Sequence, residues 1–385
     1  CGRSCAGQST WLHSLDRLQG LYQLLQNSSG HEEWIAFRVY AIVRDATPRR
    51  THIVHPPAER TYVLGRSSLP RELSIATDSK IEAAAKRAFT KDSLALLLID
   101  KGGIAFEQYA TDLNEKTQLF SLSITKSLVA IATGEALCAG KIKSLDDPAV
   151  SYSNELSGAV QGQASVKQLL TMSSGADPAY MDDVPAGVNF KDFMAQFEGR
   201  LGVSEYVRKD SRPFVRNGLT RVPGSVFQYS GRDTAAISLV IEGAVGMKFQ
   251  EWFDIAVWRK VGAASDAFLR VASKDGRAIA DGGLWVTPRD LARVGMMALD
   301  VLHDGNACMK QFMAESIAPH LDSSWASKKY GYQMWIDKRG LPQFVGAGGQ
   351  MLVFDPKSQR ILVVFGHNTS YQPMEDLFHH WLDQK

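Results

Sequence analysis

Hydrophobic and polar positions follow a pattern that changes several times along the chain. Residues 94–99 are continuously apolar, residues 100–103 form a glycine-containing turn, and residues 104–109 are again typical of a strand. Two such runs around a short turn predict a β-hairpin. An apolar segment at residues 123–139, closed by Gly140, predicts a buried helix soon after the hairpin.

Helical patterns dominate the middle of the chain, and strand patterns return at its end. Helices are predicted at residues 230–243 and 249–261, after a loop-rich stretch at residues 177–224 of the kind that shapes binding pockets. Strands are then predicted at residues 330–336, 343–345, 351–354 and 360–365. A chain that begins a sheet, leaves it for helices and returns favours one antiparallel sheet with a helical lobe inserted between its two parts.

The length of 385 residues favours more than one compact region. The predicted fold class is α/β (α+β), with an antiparallel sheet flanked by helices and an all-helical lobe. We predict an N-terminal extension at residues 1–60, a discontinuous sheet domain at residues 61–143 and 271–385, and a mainly helical lobe with pocket loops at residues 144–270.

Composition narrows the classes of function. Hydrophobic residues make up 45% and charged residues 22% of the chain, as in ordinary soluble globular proteins. The net charge of +2 argues against nucleic acid as a partner, and the longest aliphatic run is too short to cross a bilayer. Without a Cys-x-x-Cys pair or a Cys/His cluster, a metal site is not expected. Cys138 lies in an apolar helical run and is expected to be a small core residue.

Cys1, the first residue, leaves two readings of the location open. One is a bacterial lipoprotein of the periplasm or cell envelope, with a lipid anchor on Cys1. In the other reading the position of Cys1 carries no targeting information, and the cytoplasm is the alternative location. The sequence does not indicate an oligomeric state.

Ser123 and Lys126 form a Ser-x-x-Lys pair where the predicted apolar helix begins. Residues i and i+3 share a face of a helix, so the Lys126 amine would lie beside the Ser123 hydroxyl. Burial and the positive end of the helix dipole would both lower the pKa of this amine. One such pair also arises by chance in a chain of this length. The pair predicts a serine nucleophile with a lysine base, provided that other residues support it.

Tyr229 directly precedes a predicted helix start, with Ser230 as the N-cap and Asp233 as its N3 partner. A phenol fixed there could relay protons between Ser123 and a leaving group, especially if Lys126 lowers its pKa. The alternative is a tyrosine that only packs at a helix start.

A third candidate is the glycine-rich segment before the predicted strand at residues 351–354. The segment comprises residues 345–351, and its candidate site residues are Gly348, Gly349, Gln350 and Met351. Glycines there let a substrate lie against the strand edge, and a backbone N–H could complete an oxyanion hole with that of Ser123. In the alternative reading the glycines mark only a bulge or close packing.

Taken in this order, the three motifs resemble the serine β-lactamase and penicillin-binding-protein superfamily. The resemblance is closer to its esterase and amidase branch, which includes the 6-aminohexanoate-dimer hydrolases and the family VIII carboxylesterases. Residues 165–175, 281–293 and 330–335 also look like that family, and the likeness covers residues 85–370. It implies a β-lactamase/transpeptidase-like fold and an activity that needs no metal or organic cofactor.

The resemblance implies that Ser123 is acylated, that Lys126 is the base, and that Tyr229 passes protons and activates water in deacylation. The predicted function is therefore a serine hydrolase acting on an ester or amide of a small molecule. One alternative is a D-alanyl-D-alanine peptidase or β-lactamase. Another is a non-catalytic binding or sensor protein, which the presence of all three residues disfavours.

The chain departs from the family pattern at two points. Many relatives have Asn two places after the tyrosine, where this chain has Gly231, and Arg232 or Asp233 is expected to take that space. β-Lactamases and penicillin-binding enzymes typically carry Lys-Thr-Gly or His-Thr-Gly in the third motif, where this chain has Gly348 to Gln350. Without that cation a substrate carboxylate loses its partner. Antibiotic hydrolysis is therefore not expected as the main activity.

Overall fold

The apolar run at residues 94–99 lies inside the largest sheet of the computed structural model of the protein. The structure describes residues 60–177, 192, 195–209, 211–216, 218–323, 328–367 and 369–384. The predicted extension, apart from its last residue, and the predicted lipid-bearing Cys1 lie outside this part of the chain. The described residues belong to one compact unit, and its division into a sheet domain and a helical lobe stays a prediction.

Strands occur at both ends of this unit and in short pieces between. They are β1 Thr61–Leu64, β2 Ser74–Ile75, β3 Ser93–Asp100, β4 Gly103–Tyr109, β5 Leu119–Phe120, β6 Val215–Arg216, β7 Leu219–Thr220, β8 Ala267–Ala272, β9 Arg277–Ala278, β10 Leu284–Val286, β11 Leu321–Asp322, β12 Lys329–Tyr330, β13 Trp335–Ile336, β14 Pro342–Gly346, β15 Gln350–Asp355 and β16 Arg360–Gly366.

Helices fill the middle of the chain and flank the sheet. They are α1 Ser79–Ala88, α2 Ile124–Cys138, α3 Val160–Gln163, α4 Val166–Leu170, α5 Val203–Arg208, α6 Gly231–Val245, α7 Phe249–Phe253, α8 Arg259–Val261, α9 Pro288–Asp304, α10 Ala307–Ser316 and α11 Tyr371–Asp383, with 3-10 turns at Ala149–Ser151 and Asn154–Leu156. Among the described helices, none is long and apolar enough to span a membrane.

The largest sheet has nine strands in the order β11-β12-β13-β14-β15-β16-β3-β4-β2. The predicted hairpin is β3 and β4, and β16 pairs with the other edge of β3. Neighbouring strands are antiparallel except β2 and β4, which are parallel. The sheet therefore joins an early and a late part of the chain, as the strand pattern predicts.

Both faces of this sheet are covered, which explains why β3 is apolar at consecutive positions. Leu97 and Ile99 lie in the core that includes α2 and α9, whereas Leu96 and Leu98 lie in the core formed with α1 and α11. Successive side chains of a strand point to opposite faces, so a strand with two covered faces alternates between two cores. Helix α2 is consequently held between the sheet and the helices of the middle segment.

The structure corrects the prediction of a single sheet. Strands β1, β8, β10 and β5 form a second, smaller sheet, to which β9 is attached through β8. The middle segment is also not purely helical, since β6 and β7 form a separate hairpin within it. Apart from β8, which has six residues, these strands have two to four residues each, so they leave little alternation for a sequence pattern to reveal.

Two predicted elements are interrupted. The strand predicted at residues 330–336 is the pair β12 and β13, because Gln333 between them adopts a left-handed conformation with φ +54°. The helix predicted at residues 249–261 is α7 and α8 with the π-helical turn Asp254–Trp258 between them. Both interruptions are local backbone changes that leave the predicted ends in place.

A disulfide joins Cys138 at the end of α2 to Cys308 in α10, with 5.7 Å between the Cα atoms. The expectation that Cys138 is only a small core residue is therefore wrong. The two helices approach closely because α2 has a glycine at the crossing. A Cβ atom on Gly134 would lie 2.4 Å from the ring of Phe312 in α10.

Candidate active site

Helix α2 carries both Ser123 and Lys126. The helix is apolar around most of its circumference and buried along most of its length, as expected for a helix enclosed by other elements. Ser123 is its N-cap residue, yet the side chain makes no capping hydrogen bond. Ser123 is partly exposed, whereas Lys126 is 4% exposed. The serine hydroxyl is thus accessible, and the amine behind it is shielded from water.

The turn before α2 fixes the direction of the Ser123 side chain. Leu122 has φ +51°, an unfavourable conformation for a leucine. The backbone N–H and the hydroxyl of Ser121 both donate to the Leu284 carbonyl at 2.9 Å. The Thr125 hydroxyl donates to the Leu122 carbonyl at 2.7 Å and accepts from the Leu284 N–H at 3.3 Å. Strand β10 therefore holds the strained turn that presents Ser123.

Lys126 lies where a base for Ser123 is needed. Its Nζ is 3.0 Å from Ser123 Oγ and also donates a hydrogen bond to the backbone carbonyl of Asp281. Burial lowers the pKa of the amine to about 8, although the Asp281 carboxylate acts in the opposite direction. A measurable share of Lys126 is consequently neutral near physiological pH, as the position of the pair predicts.

Tyr229 reaches the same hydroxyl from the other side of the site. Its phenol shares a hydrogen bond with the Ser123 side chain, and its ring centroid is 5.5 Å from Lys126 Nζ. Burial raises the pKa of this phenol well above its usual range, so the expectation that Lys126 would lower it is wrong. The loss of hydration outweighs the hydrogen bond with Ser123, which acts in the opposite direction, and Tyr229 stays protonated.

The start of α6 is built differently from the predicted capping box. Ser230 is the N-cap in an extended conformation, but its side chain does not cap the helix. The Asp233 carboxylate instead accepts hydrogen bonds from Ser174 Oγ at 2.8 Å and Gln161 Nε2 at 3.4 Å. The Ser230 N–H contacts Met172 Sδ at 3.3 Å. Tertiary contacts, rather than the helix cap, hold the chain that presents the tyrosine.

Aromatic side chains form a wall beside Tyr229. Its ring stacks on Trp335 with centroids 5.5 Å apart, and Phe227 and Tyr330 complete the cluster. The Phe227 and Tyr330 centroids are 4.7 Å apart, and those of Tyr330 and Trp335 are 4.9 Å apart. The wall limits rotation of the tyrosine ring and gives this side of the site an apolar character.

Gly346, at the end of β14, is the glycine that lies against Ser123; it belongs to the predicted glycine-rich segment at residues 345–351 but is not among the candidate site residues. A Cβ atom there would be 2.4 Å from the Ser121 carbonyl oxygen and 3.2 Å from the Ser123 backbone nitrogen. The Tyr371 hydroxyl donates to the Gly346 carbonyl at 2.7 Å and accepts from the Gly349 N–H at 3.4 Å. Tyr371 thereby ties β14 to the turn that follows it.

The four candidate site residues of the predicted glycine-rich segment lie in that turn and at the start of β15. Gly348 and Gly349 have φ values of +81° and +97°, which glycine adopts readily. Gln350 is buried, and its Oε1 accepts a hydrogen bond from the Gly366 N–H at 2.9 Å. The Met351 side chain lies in the core with α1 and α11, on the face of the sheet away from α2. A part for these residues in oxyanion or substrate binding stays a prediction that rests on their main chain.

Asp281 occupies the space beside Gly231. A Cβ atom on Gly231 would lie 2.4 Å from Asp281 Oδ2. Arg232 is instead in a buried ion pair with Asp192, with 3.1 Å between the charged atoms, and Asp233 makes the contacts described above. The expectation that Arg232 or Asp233 takes this space is therefore wrong. Asp281 begins one of the family-like stretches, but no local pattern connects it with Gly231.

The described residues contain no group of three or more potential ligands that could hold a metal ion. The site as described consists of a hydroxyl, an amine, a phenol and main-chain groups. Independence from cofactors stays a prediction.

Comparisons with known proteins indicate the family of the chain. The family model described as "Beta-lactamase" matches residues 82–384. A 6-aminohexanoate-dimer hydrolase of Paenarthrobacter ureafaciens is 28% identical over 290 residues, which cover 70% of this chain and 71% of that protein.

Solved structures share the fold. A Bacillus anthracis protein named as a candidate 6-aminohexanoate-dimer hydrolase has a TM-score of 0.70 at 19% identity, covering 88% of this chain and 97% of its own. A penicillin-binding protein from Bacillus halodurans has a TM-score of 0.60 at 20% identity, covering 78% and 99%. EstCE1, a hydrolase with promiscuous acyltransferase activity, also has a TM-score of 0.60, at 16% identity, covering 77% and 97%.

Proposed function

Because the chain belongs to the beta-lactamase family, we propose that it is a serine hydrolase that cleaves a carboxylic ester or amide of a small molecule through an acyl-enzyme on Ser123. The observation that carries the proposal is the contact between an accessible serine hydroxyl and a buried amine. Ser123 Oγ lies 3.0 Å from Lys126 Nζ, and the pKa of that amine is about 8. The curated 6-aminohexanoate-dimer hydrolase relative supports hydrolysis of an amide or a related bond.

In acylation, neutral Lys126 takes the Ser123 proton while Oγ bonds to the substrate carbonyl carbon. The carbonyl electron pair moves to oxygen, where the N–H of Ser123 and the main chain at the end of β14 would stabilise it. The electron pair then returns, the bond to the leaving group breaks, and Tyr229 donates its proton to that group. Lys126 returns the serine proton to Tyr229, so the site recovers its starting protonation.

In deacylation, water attacks the ester carbonyl of the acyl-enzyme and releases the carboxylic acid and Ser123. Lys126 is the group that can accept the proton of water, because its pKa is about 8, and it then returns this proton to the Ser123 oxygen as the carboxylic acid leaves. The raised pKa of Tyr229 suits a proton donor and not a base for water. The proposal therefore assigns water activation to Lys126, which differs from the predicted part of Tyr229.

The composition of β14 supports an ester or amide substrate over a β-lactam or a peptide stem. The strand reads Pro-Gln-Phe-Val-Gly and contains no Lys, Arg or His. A substrate carboxylate placed along it would lack a cationic partner on this strand. The aromatic wall around Tyr229 instead suits a substrate with an apolar part near the scissile bond.

A fluorophosphonate probe tests the proposal directly. Intact-protein mass spectrometry should show one adduct on the wild type and none on Ser123→Ala, and digestion should locate it on Ser123. A panel of p-nitrophenyl esters, linear amides and nitrocefin then compares the substrate classes. Turnover of nitrocefin above that of the esters and amides would favour a β-lactamase. Neither adduct nor turnover would indicate a binding protein and overturn the proposal.

We also propose that the protein works outside the cytoplasm, in the periplasm or cell envelope. The Cys138–Cys308 disulfide supports this, because such bonds persist in oxidising compartments and are rare in the cytosol. Alkylation of protein taken directly from the cells that produce it, followed by mass spectrometry, should find both thiols oxidised. Two alkylated cysteines at these positions would contradict the proposed compartment.

A further inference from the structure

The Asp281 carboxyl is a buried acidic group that the proposed mechanism does not yet use; burial raises its pKa, and the charge of Lys126 acts in the opposite direction. The residue is 1% exposed, and the Gln196 side chain donates a hydrogen bond to its carboxyl group. A buried carboxylate is unfavourable unless hydrogen bonds and a nearby cation compensate for its charge. Lys126 is such a cation, because its ammonium interacts electrostatically with this carboxylate and its Nζ donates to the Asp281 carbonyl.

The space around this carboxylate is shaped for it. An added Cβ atom on Gly231 would lie 2.4 Å from Asp281 Oδ2 and 3.1 Å from the Tyr206 hydroxyl. Tyr206, which extends from α5, donates a hydrogen bond to the carboxylate. A side chain at position 231 would therefore have to displace the Asp281 carboxylate from this place. Because residue 231 is a glycine, the Asp281 carboxylate, which comes from the loop before β10, can lie at the start of α6.

We propose that Asp281 is a positioning residue that holds the Lys126 amine against Ser123 and sets the charge state of that amine. The Asp281 carboxylate occupies the space that a side chain at position 231 would otherwise fill. The proposal rests on the proposed serine-hydrolase function and deepens it. The backbone carbonyl of Asp281 directs the amine by accepting its hydrogen bond. The carboxylate of the same residue stabilises the ammonium that forms when Lys126 takes the serine proton.

Two opposing effects act on the amine, and Asp281 is responsible for one of them. Burial of Lys126 favours the neutral base and lowers its pKa, whereas the carboxylate favours the ammonium and raises it. The groups that face the amine are Ser123 on its own helix, Tyr229 before α6 and Asp281 before β10. Beyond Asp281 stands the Tyr206 hydroxyl. Removal of the carboxylate charge should therefore lower the pKa of the amine further.

The decisive variant is Asp281→Asn, which keeps the shape and the backbone carbonyl but removes the charge. The rate of fluorophosphonate acylation should be measured from pH 5.5 to 9.5 in wild type and variant. We expect the inflection of the variant to move to lower pH by about one unit. The plateau rate should fall about tenfold, because the ammonium is less stabilised. An unchanged inflection would overturn the proposal.

A titration that does not depend on activity separates this proposal from the proposed function. Lysine labelled with 13C at Cε reports the charge of each amine by NMR, and Lys126→Arg identifies the resonance of Lys126. The midpoint of that resonance should fall in Asp281→Asn. If wild type fails to react with the probe while the midpoint still falls, the hydrolase proposal fails and the effect of Asp281 on the amine stands. An unmoved midpoint refutes the effect of Asp281.

Two further variants test whether the effect is specific. Asp290→Asn removes another buried carboxylate, one that accepts from the Ala264 and Ser265 N–H groups at 2.7 and 3.0 Å. It should lower stability without moving the inflection, and an equal shift would refute a specific effect of Asp281.

Gly231→Asn alone should abolish acylation through its clash with the carboxylate. When Asp281→Gly is added to Gly231→Asn, part of the acylation rate should return, with the inflection at the lower pH. No recovery would contradict the inference that the two side chains compete for the same space.

Discussion

The pH dependence of acylation is the sharpest test of Lys126 as a neutral base. With a pKa of about 8, the amine is about 9% neutral at pH 7, about 50% at pH 8 and about 90% at pH 9. Only the neutral form accepts a proton, so the rate should rise about fivefold from pH 7 to 8 and less than about twofold from pH 8 to 9. A lysine at its ordinary pKa of 10.5 would give about a tenfold rise over each interval.

The assay is single-turnover labelling by a fluorophosphonate, with kcat/KM for a p-nitrophenyl ester as a second measure. Ser123→Ala supplies the background of alkaline ester hydrolysis. Lys126→Arg keeps the positive charge but accepts no proton in this range, so acylation should fall by about 10²–10⁴-fold and the inflection should disappear. Thermal unfolding checks that the variant is folded. A rate that keeps rising tenfold per unit beyond pH 9, or an inflection that survives in Lys126→Arg, would refute the reasoning.

Three further predictions follow from the site and its supports. Tyr229→Phe should slow amide hydrolysis more than hydrolysis of a p-nitrophenyl ester, because an amine needs a proton as it leaves and p-nitrophenolate does not; equal losses would point to positioning. Gly346→Ala should abolish acylation, because its methyl group overlaps the main chain beside Ser123, whereas Gly65→Ala, with open space around it, should leave the rate unchanged. Labelling of Gly346→Ala by the probe would show that this glycine is not needed for the site. The double variant Cys138→Ser, Cys308→Ser should lower the free energy of unfolding by about 2–5 kcal/mol in denaturant titrations and leave the acylation inflection near pH 8. A shifted inflection would show that the disulfide influences the active site.

The residues that could be predicted from the sequence are those whose geometry is set by a local period. Ser123 and Lys126 are three residues apart on one helix, so their contact follows from helix geometry alone. The strands β3, β4, β15 and β16 are long enough for their apolar pattern to mark them. The tyrosine required the resemblance to a family, because a tyrosine before a helix has no chemical meaning by itself.

The remainder depends on contacts between distant parts of the chain. Asp281 and Gly231 share a space only because the loop before β10 packs against the start of α6. Gly346, rather than Gly349, lies against the nucleophile because β14 is the strand that packs against α2. The disulfide joins residues 170 positions apart and follows from the packing of α2 on α10. The pKa of Tyr229 depends on how deeply its hydroxyl is enclosed, which no sequence pattern reveals.

The pairing of β16 with β3 has a consequence for the order in which the chain can fold. Arg360 pairs with Asp100, 260 positions earlier, so closure of the sheet requires one of the longest-range contacts in the molecule. During synthesis, β3 and the nucleophile helix leave the ribosome well before β16 exists. Until then, β3 presents an open edge with apolar side chains on both faces, and such edges pair readily with other chains. A chain that ends before residue 360 is therefore expected to aggregate, even though it contains Ser123, Lys126 and Tyr229.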